Sequence, residues 1–372
     1  MKWQISFIFV LFLVITGFHV MSGPMLAGDS DRYLLGAEEL KNLGTISGKA
    51  NRYSGYIAFI SAIKMVTDNH DHQLKLIVVF QALILMVALI CLYRIGRHLF
   101  GTPSALIAAT LFSVNFYLLR WTPFILTETM FTSFVIISTY LCLITSEKPR
   151  FLLLSVGAVL ITTTLRPNGI ALLPVFLCYL ITRLKGFSRL AAIILLATTI
   201  IGILPILHPI LSDTAENESL VDKLESGTII WDTEFMDMPK LANRSEDQVT
   251  DIFRYLTTWP LESTKLMANR LYAAYFYQRS DYSLVHRIFL VVVIPALLLL
   301  ALVGLITAIR RMNSVDYLLP TFLILAQSTV IAISFADHDH RFISYIMPLI
   351  FLFSGFGATV VLGAAVSTRR ST

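Results

Sequence analysis

The chain has 372 residues, of which 56% are hydrophobic and only 14% are charged. A soluble domain carries about 25% charged residues, so the composition excludes an ordinary soluble protein and indicates lipid-facing surface. The formal net charge of +5 does not indicate a nucleic-acid-binding protein, because the Lys and Arg residues are spread over many short loops. The three cysteines all lie in apolar runs, so the sequence offers no disulfide framework.

Apolar runs long enough to cross a bilayer recur along the whole chain. They predict an all-α integral membrane protein of about ten transmembrane helices, organised as one polytopic domain over residues 1–372. The first run could instead be a cleaved signal peptide, and the fifth and sixth could be one helix broken at Arg166-Pro167-Asn168. The predicted spans are 4–22, 74–93, 103–119, 124–145, 151–165, 169–182, 190–210, 288–309, 317–335 and 342–365.

The distribution of charge predicts the orientation of these spans. With the N-terminus in the cytoplasm, the inside segments carry only two acids, Glu147 and Asp316. The same segments carry twelve cations: Lys2, Arg94, Arg97, Lys148, Arg150, Arg183, Lys185, Arg189, Arg310, Arg311, Arg369 and Arg370. This is the positive-inside pattern, and it predicts that both termini are cytoplasmic.

Two long segments, 23–73 and 211–287, lie outside in this topology. Within the first, the apolar residues of 30–43 have helical spacing and predict an amphipathic helix on the membrane surface. Residues 53–66 predict a second such helix or a shallow re-entrant one. In the other segment, the acidic first half is predicted to be irregular and 261–277 to form an amphipathic helix rich in aromatic residues.

Charged residues at the edge of a bilayer cost several kcal/mol unless they are used, so they are the candidates for function. In the predicted topology they converge on the outer leaflet from four places. These places are Asp29 with Asp31, Glu128, Arg166, and the run from Asp337 to Arg341.

Each candidate also has a simpler interpretation. Asp31 could cap the helix that follows it, and Glu128 could sit at the positive end of its helix. Arg166 and Arg341 could extend to lipid headgroups. The alternating Asp and His residues of 337–340 could hold a metal, although a solvated loop is the simpler interpretation.

The set of residues is more informative than its members. Arginine binds phosphate through a planar fork of donors, and a carboxylate can remove the proton of an acceptor hydroxyl as a general base. Carboxylates and arginines beside a bilayer therefore fit the transfer of a sugar from a polyprenyl-phosphate donor. This chemistry requires no redox cofactor, and the sequence leaves open whether a divalent metal takes part.

Five motifs occur in order along residues 1–360. They are Asp29-Ser30-x-x-Tyr33, Ile125-Leu126-Thr127-Glu128-x-x-Phe131, Thr164-Leu165-Arg166-Pro167-Asn168-Gly169, Trp259-Pro260, and Asp339-His340-Arg341-Phe342. With these motifs in this order, the sequence resembles the GT-C superfamily of polyprenyl-phosphate-sugar-dependent glycosyltransferases. It is most similar to the protein mannosyltransferase and aminoarabinose transferase group within that superfamily.

The resemblance implies roles for individual residues. Asp29 would be the catalytic base and Glu128 a second acid that positions the acceptor. Arg166 and Arg341, with His340 beside the latter, would bind the donor phosphate. Members of the family usually carry two adjacent acids in the first loop, whereas Ser30 follows Asp29 here, so Asp31 stays an alternative base.

The expected function is hexosyl or pentosyl transfer from the lipid-linked donor to a lipid, glycan or protein acceptor. The active site would face the exterior of the plasma membrane, or the lumen of the endoplasmic reticulum in a eukaryote. A polysaccharide polymerase or ligase is an alternative, whose key arginines would lie in the second long loop. Those arginines are Arg244, Arg254, Arg270 and Arg279. A transporter is a further alternative, but the charges collect at one face and not at the midplane.

The topology is testable by labelling single cysteines in intact cells with a membrane-impermeant reagent. We expect a cysteine at position 226, in the outside segment, to be modified, whereas a cysteine at position 188 stays protected. Ser226 and Ser188 are small polar residues in segments predicted to lie on opposite sides of the membrane. The opposite labelling pattern would overturn the orientation.

Overall fold

The computed structural model describes residues 2–186, 189–190, 193–194, 220–245, 248–312, 314–337 and 339–370. These residues are mostly helical, with one addition to the all-α prediction, a two-stranded antiparallel hairpin. They fall into two compact units. Unit 1 comprises Met1–Leu204, Leu297–Ile324 and Ser344–Thr372, and unit 2 comprises Pro205–Ala296 and Leu325–Ile343. That residues 1–372 form a single membrane domain stays a prediction.

Residues 2–185 form nine α-helices. They are α1 (Lys2–Met21), α2 (Ser30–Leu43), α3 (Ser54–Val66), α4 (His70–Phe100), α5 (Thr102–Val114), α6 (Phe116–Leu119), α7 (Glu128–Glu147), α8 (Leu152–Leu165) and α9 (Asn168–Arg183). Short 3₁₀ segments at Gly48–Tyr53 and Pro149–Phe151 lead into α3 and α8.

The later elements begin within the second long loop. They are α10 (Leu220–Glu225), β1 (Thr228–Ile230), β2 (Glu234–Phe235), α11 (Gln248–Thr258), α12 (Pro260–Phe276), α13 (Leu284–Ile288), α14 (Ile294–Arg311), α15 (Leu318–Ile333), α16 (Arg341–Ser344) and α17 (Met347–Arg370). A π-helical turn, Phe289–Val293, joins α13 to α14. The hairpin corrects the prediction that the first half of this loop is irregular.

Four described helices are long and apolar enough to cross a membrane: Trp3–Met21, His70–Phe100, Glu128–Glu147 and Leu284–Arg311. Five shorter apolar helices accompany them: Thr102–Val114, Pro149–Leu165, Asn168–Arg183, Leu318–Ile333 and Met347–Gly363. The chain is thus an integral membrane protein. The count of about ten spans stays a prediction, because the span predicted at 190–210 lies almost entirely outside the described residues.

Several predicted boundaries are corrected by the structure. The helix predicted at 74–93 runs from His70 to Phe100, and the one predicted at 103–119 ends at Val114. The helix predicted to begin at 342 begins at Met347, after the short α16. Helices α2, α3 and α12 lie over the segments predicted at 30–43, 53–66 and 261–277, and their placement on the membrane surface stays a prediction.

Small residues let the helices of unit 1 pack closely. A Cβ on Gly96 of α4 would meet the Cα of Ala105 in α5 at 2.9 Å. On α14 and α17, Cβ atoms added to Gly304 and Gly357 would overlap backbone carbonyls of the opposite helix. Such close approach is typical of membrane helices, where burial of apolar surface gives little driving force and tight packing replaces it. At the first helix, Phe12 is buried against Phe112 of α5, with the ring centroids 6.2 Å apart.

The two acids predicted to be cytoplasmic lie near one another in unit 1. Asp316, in the turn before α15, accepts hydrogen bonds from Tyr179 (2.7 Å) and Ser314 (2.7 Å). The ring of His98 lies between this carboxylate (3.7 Å) and that of Glu147 (3.5 Å). Burial alone would raise the pKa of Asp316, but the hydrogen bonds that it accepts hold this pKa below its ordinary value. The carboxylate therefore stays ionised although it is almost completely buried.

Replacing this carboxylate should destabilise the protein. We expect Asp316→Asn to lower the free energy of unfolding by about 1–3 kcal/mol, since it leaves buried donors poorly paired. Because the pKa in the folded state lies below the value of about 3.9 in the unfolded chain, the wild-type contribution exists near neutral pH and is lost as the pH falls. The free energy of unfolding of Asp316→Asn should therefore not show this decrease in acid.

Thermal unfolding in detergent micelles between pH 3 and pH 7 measures both effects. Glu147→Gln is the matched control, because its side chain is 54% exposed and should contribute little. Equal unfolding temperatures for the Asp316 and Glu147 variants would show that the buried network does not stabilise the fold.

Candidate active site

The loop that carries Asp29 is bonded to the segment that leads into α7. The amide of Met25 donates to the carbonyl of Pro123 (2.9 Å), and the amide of Ile125 donates to the carbonyl of Met25 (3.0 Å). Ser30, which is fully buried, donates from its hydroxyl to the carbonyl of Ile125 at 3.0 Å. These bonds place the first residues of α2 beside the start of α7, so the two acidic motifs lie in neighbouring segments.

Asp29 and Asp31 differ in position and exposure. Asp29 is the residue at the N-cap of α2, where its side chain makes no capping hydrogen bond. Its carboxylate is partly buried and pairs with Arg32 at 3.2 Å. Asp31 lies within the first helical turn and is exposed. The interpretation of Asp31 as the helix cap is therefore wrong, because the helix begins one residue earlier, at Ser30.

Glu128 and Arg166 form a buried ion pair. The guanidinium of Arg166 donates from one terminal nitrogen to the Glu128 carboxylate (2.6 Å) and to the Thr127 hydroxyl (2.7 Å). The carboxylate residue is 1% exposed and the arginine 6%. Glu128 is also the first residue of α7, where the positive end of the helix dipole favours its charge. The second acid and one predicted phosphate ligand are thus held together.

Tyr345 covers this ion pair from the turn before α17. The guanidinium carbon of Arg166 lies 4.9 Å from the centre of the Tyr345 ring, a cation–π contact. The tyrosine hydroxyl lies 3.5 Å from the Glu128 carboxylate, and its ring packs edge-on against Phe131 (4.9 Å). The pair is therefore enclosed by aromatic surface, in which charge–charge attraction is strong.

Three tyrosines of the first long loop pack together beside the acids. The ring of Tyr33 makes edge-to-face contacts with Tyr53 (5.0 Å) and Tyr56 (5.2 Å). Burial raises the pKa of the Tyr33 phenol well above its ordinary value, and the nearby charges of Glu128 and Asp29 raise it further. The phenol therefore stays protonated, within electrostatic reach of both candidate carboxylates.

Gln81 connects the tyrosines to the segment before α7. It is a fully buried amide in the apolar helix α4, and its oxygen accepts a hydrogen bond from Tyr56 (2.9 Å). Its nitrogen donates to the carbonyls of Thr122 (2.9 Å) and Phe124 (3.0 Å). One side chain thereby ties α3 and α4 to the chain that enters α7.

The break between α8 and α9 places Arg166 at this position. The backbone of Arg166 is extended, and Pro167, which has no amide hydrogen, follows it, so the prediction of two separate helices is confirmed. A Cβ on Gly169 would overlap the carbonyl of Thr162, and one on Gly55 of α3 would lie 2.5 Å from the Thr164 hydroxyl. Only glycine lets these helices approach so closely.

The two other predicted phosphate ligands lie at the boundary of α16 in unit 2. His340 is buried, with its two ring nitrogens 2.8 Å from the carbonyl of Ala274 and 3.1 Å from that of Tyr277. Arg341 is mostly buried, and its guanidinium lies 3.9 Å from Asp337. A parallel bridge between Ile230 and Ala336 also holds this segment to the hairpin. His340 thus joins the end of α12 to the start of α16.

The arginines of the second long loop are paired within unit 2. Arg270 is completely buried, and its donors reach the carbonyls of Thr228, Lys223, Ala332 and Ile333 at 2.5–3.0 Å. Arg244 pairs with Asp222 and Glu225. Arg279 pairs with Asp281 at 3.1 Å, and Arg254 lies 4.0 Å from Asp251.

A metal site at residues 337–340 is not tested, because His338 lies outside the described residues. Elsewhere in the part of the chain that the structure describes, no three His, Cys, Asp or Glu side chains come together as metal ligands.

The sequence of one segment matches a known family. Residues 56–212, less than half of the chain, match the family model for dolichyl-phosphate-mannose-protein mannosyltransferase. This segment begins in α3 and contains both members of the ion pair, Glu128 and Arg166. No curated protein sequence matches the chain.

Solved structures share the fold over nearly the whole chain. The Archaeoglobus fulgidus oligosaccharyltransferase in its apo form is 12% identical, with a TM-score of 0.58 over 100% of this chain and 52% of its own. The archaeal oligosaccharyltransferase AglB from Archaeoglobus fulgidus, in complex with an inhibitory peptide and a dolichol-phosphate, is 10% identical (TM-score 0.56, 99% and 51%). ArnT from Cupriavidus metallidurans, bound to undecaprenyl phosphate, is 16% identical (TM-score 0.52, 96% and 60%).

These matches confirm the resemblance predicted from the sequence. The chain has the fold of the GT-C membrane glycosyltransferases, and it spans about half to three-fifths of the length of the structures that it matches.

Glu128 and Arg166, both predicted as site residues, form a pair in unit 1, whereas the neighbours of this pair were not predicted. Tyr33 was visible only as part of a motif, and Tyr345 carried no signal at all. Gln81 had one available signal, since it is a lone amide within an apolar run of α4. A buried polar side chain in a membrane helix is costly unless it is hydrogen-bonded, so this residue deserved the same weight as the charges.

The ion pair predicts strong energetic coupling between its members. We expect Glu128→Gln to lower the free energy of unfolding by about 3–5 kcal/mol, because Arg166 is left as an uncompensated buried charge. The double variant Glu128→Gln/Arg166→Met should lose less than the sum of the two single variants, with a coupling energy of about 1–3 kcal/mol. Unfolding in detergent micelles measures all three.

The ion pair of Lys41 and Asp68, with a 3.2 Å contact, is the control, because the Asp68 side chain is 98% exposed. Asp68→Asn should cost less than about 1 kcal/mol. Additive effects at positions 128 and 166 would show that the two residues do not act as a pair.

Proposed function

We propose that the protein is a glycosyltransferase that moves a hexose or pentose from a polyprenyl-phosphate donor to an acceptor hydroxyl or amide of a lipid, glycan or protein. The observation that carries the proposal is the bonding of the Asp29 loop to the segment that begins α7, beside the buried pair of Glu128 and Arg166. The fold adds support, since two structures that share it were solved with a lipid phosphate.

Asp29 is the proposed general base. The acceptor oxygen or nitrogen attacks the anomeric carbon of the donor sugar, its proton passes to the Asp29 carboxylate, and the bond from that carbon to the phosphate oxygen breaks. The lipid phosphate leaves with the electron pair of the broken bond. Asp29 fits this role better than Asp31, because it is partly buried and lies in the segment bonded to residues 123–125. Partial burial shields a base from competing water.

Glu128 and Arg166 are proposed to act together. A carboxylate held at 2.6 Å by a buried guanidinium stays ionised and keeps one orientation, as an acid that positions an acceptor must. Arg166 is then first a positioning residue for Glu128, and its direct contact with the donor phosphate stays a prediction. Direct contact of Arg341 and His340 with the donor phosphate likewise stays a prediction. Within unit 2, Asp337 holds Arg341 and the end of α12 holds His340.

The polymerase or ligase alternative receives less support. It requires arginines of the second long loop to bind phosphate, and all four pair with acids or carbonyls of unit 2. Arg270, the most buried of them, reaches four carbonyls and contributes to the fold of that unit. An active site on the exterior or lumenal face, in the orientation predicted from charge, completes the proposal.

Removing the base should abolish transfer while leaving the protein folded. We expect Asp29→Asn to reduce the transfer rate by about 10²–10⁴-fold. Asp31→Asn is the matched control, since it removes the same charge two residues away on an exposed position, and it should retain most of the activity. Cells that lack the protein are complemented with each variant, and envelope glycans and lipids are compared by mass spectrometry.

Transfer from a labelled lipid-linked sugar pool in isolated membranes then gives the rates. Loss of activity in Asp31→Asn with full activity in Asp29→Asn would assign the base to Asp31. Unchanged glycans after deletion of the whole chain would contradict glycosyl transfer itself.

A further inference from the structure

Unit 1 contains a cavity of about 670 Å³ far from the acids of the candidate active site. It lies between the first turns of α1 and the last turns of α4 and α7, where Ile5, Arg94 and Tyr140 contribute to its wall. Helix α7 has 20 residues and is therefore about 30 Å long, with Glu128 at its other end. Such a length matches the hydrocarbon thickness of a bilayer, so the cavity and the ion pair lie near opposite membrane faces.

The mouth of the cavity is cationic. Arg94 and Arg97, one helical turn apart on α4, both line it and are exposed. The one carboxylate in the lining, that of Glu147, lies 3.5 Å from the ring of His98. Within the described residues neither Arg94 nor Arg97 has a carboxylate within ion-pair distance, so two guanidinium groups remain available to bind an anion.

Two tyrosines complete the polar part of the lining. The hydroxyl of Tyr140 accepts a hydrogen bond from Arg94 at 3.0 Å, which fixes the direction of that guanidinium. The hydroxyl of Tyr93 is buried and makes no hydrogen bond to the described residues. A buried hydroxyl without a partner costs about 1–3 kcal/mol, and a ligand in the cavity would remove this cost.

The rest of the wall is apolar. Ile5 and Phe9 of α1, Ile90 of α4 and Ile144 of α7 line the cavity below its charged mouth. A site with paired guanidinium groups at the membrane edge and aliphatic side chains below them matches an amphiphile that carries a phosphate. Arginine binds phosphate through two parallel hydrogen bonds, and hydrocarbon chains pack on aliphatic walls.

We propose that this cavity binds an anionic membrane phospholipid. Arg94 and Arg97 bind the phosphate of the headgroup, the Tyr93 hydroxyl donates a hydrogen bond to it, and one acyl chain lies along Ile5, Phe9 and Ile90. The bound lipid fills the space between α1, α4 and α7 and anchors this end of unit 1 in the bilayer. The site is separate from the candidate active site, so its occupancy does not depend on the proposed transfer reaction.

Native mass spectrometry of the full chain in detergent micelles tests the proposal. The probes are phosphatidylglycerol, phosphatidylcholine and inorganic phosphate. The wild type should retain one phosphatidylglycerol in preference to phosphatidylcholine. Arg94→Ala/Arg97→Ala should reduce the retained phosphatidylglycerol about tenfold or more. Lys148→Ala/Arg150→Ala is the matched control, because it removes two charges at the same end of α7 outside the cavity, and it should bind as the wild type does.

A second pair of variants separates the cavity from general surface charge. Ile90→Trp fills the apolar part without changing the charge, and Tyr93→Phe removes only the hydroxyl, so both should weaken retention of phosphatidylglycerol while melting temperatures show that they fold. Equal retention by the wild type, the Arg94/Arg97 variant and Ile90→Trp would overturn the proposal. Displacement of the lipid by millimolar inorganic phosphate would overturn it as well, because the site would then take the bare anion.

Discussion

The buried pair of Glu128 and Arg166 is the interaction on which the candidate site depends. A carboxylate and a guanidinium that are 1% and 6% exposed are too costly to bury singly, so each fixes the position of the other. Arg166 comes from the break between α8 and α9, and Glu128 from the first turn of α7. The pair thus determines how three helices meet, and Tyr345 closes the aromatic cover over it.

The first long loop is held against this pair by hydrogen bonds of uncharged groups. Ser30 and Met25 bond to the backbone before α7, while Tyr56 reaches the same segment through the amide of Gln81. These groups place the loop that carries Asp29 beside the start of α7, and the Asp29 carboxylate itself pairs with Arg32 at 3.2 Å.

A buried acid at the opposite end of unit 1 also depends on partners for its charge, but these partners are mainly hydrogen-bond donors. Asp316 stays ionised because it accepts hydrogen bonds from neighbouring side chains, and the ring of His98 joins it to Glu147. The cations of that end, by contrast, include Arg94 and Arg97 without carboxylate partners. Asp316 is buried and hydrogen-bonded there while Arg94 and Arg97 stay exposed, which is the arrangement that anionic headgroups favour.

The sequence by itself determined the class of membrane protein and the two helices at Arg166-Pro167, because long apolar runs and a proline break are local properties. It misjudged Asp31 and the hairpin, because a helix start and a two-stranded pairing depend on neighbours that are distant in the chain. Only the tertiary structure decided that Arg166 pairs with Glu128 and that His340 bonds to carbonyls of α12. These hydrogen bonds join residues that are 38 and 66 positions apart, and no sequence periodicity indicates such pairs. They are determined by how the helices pack.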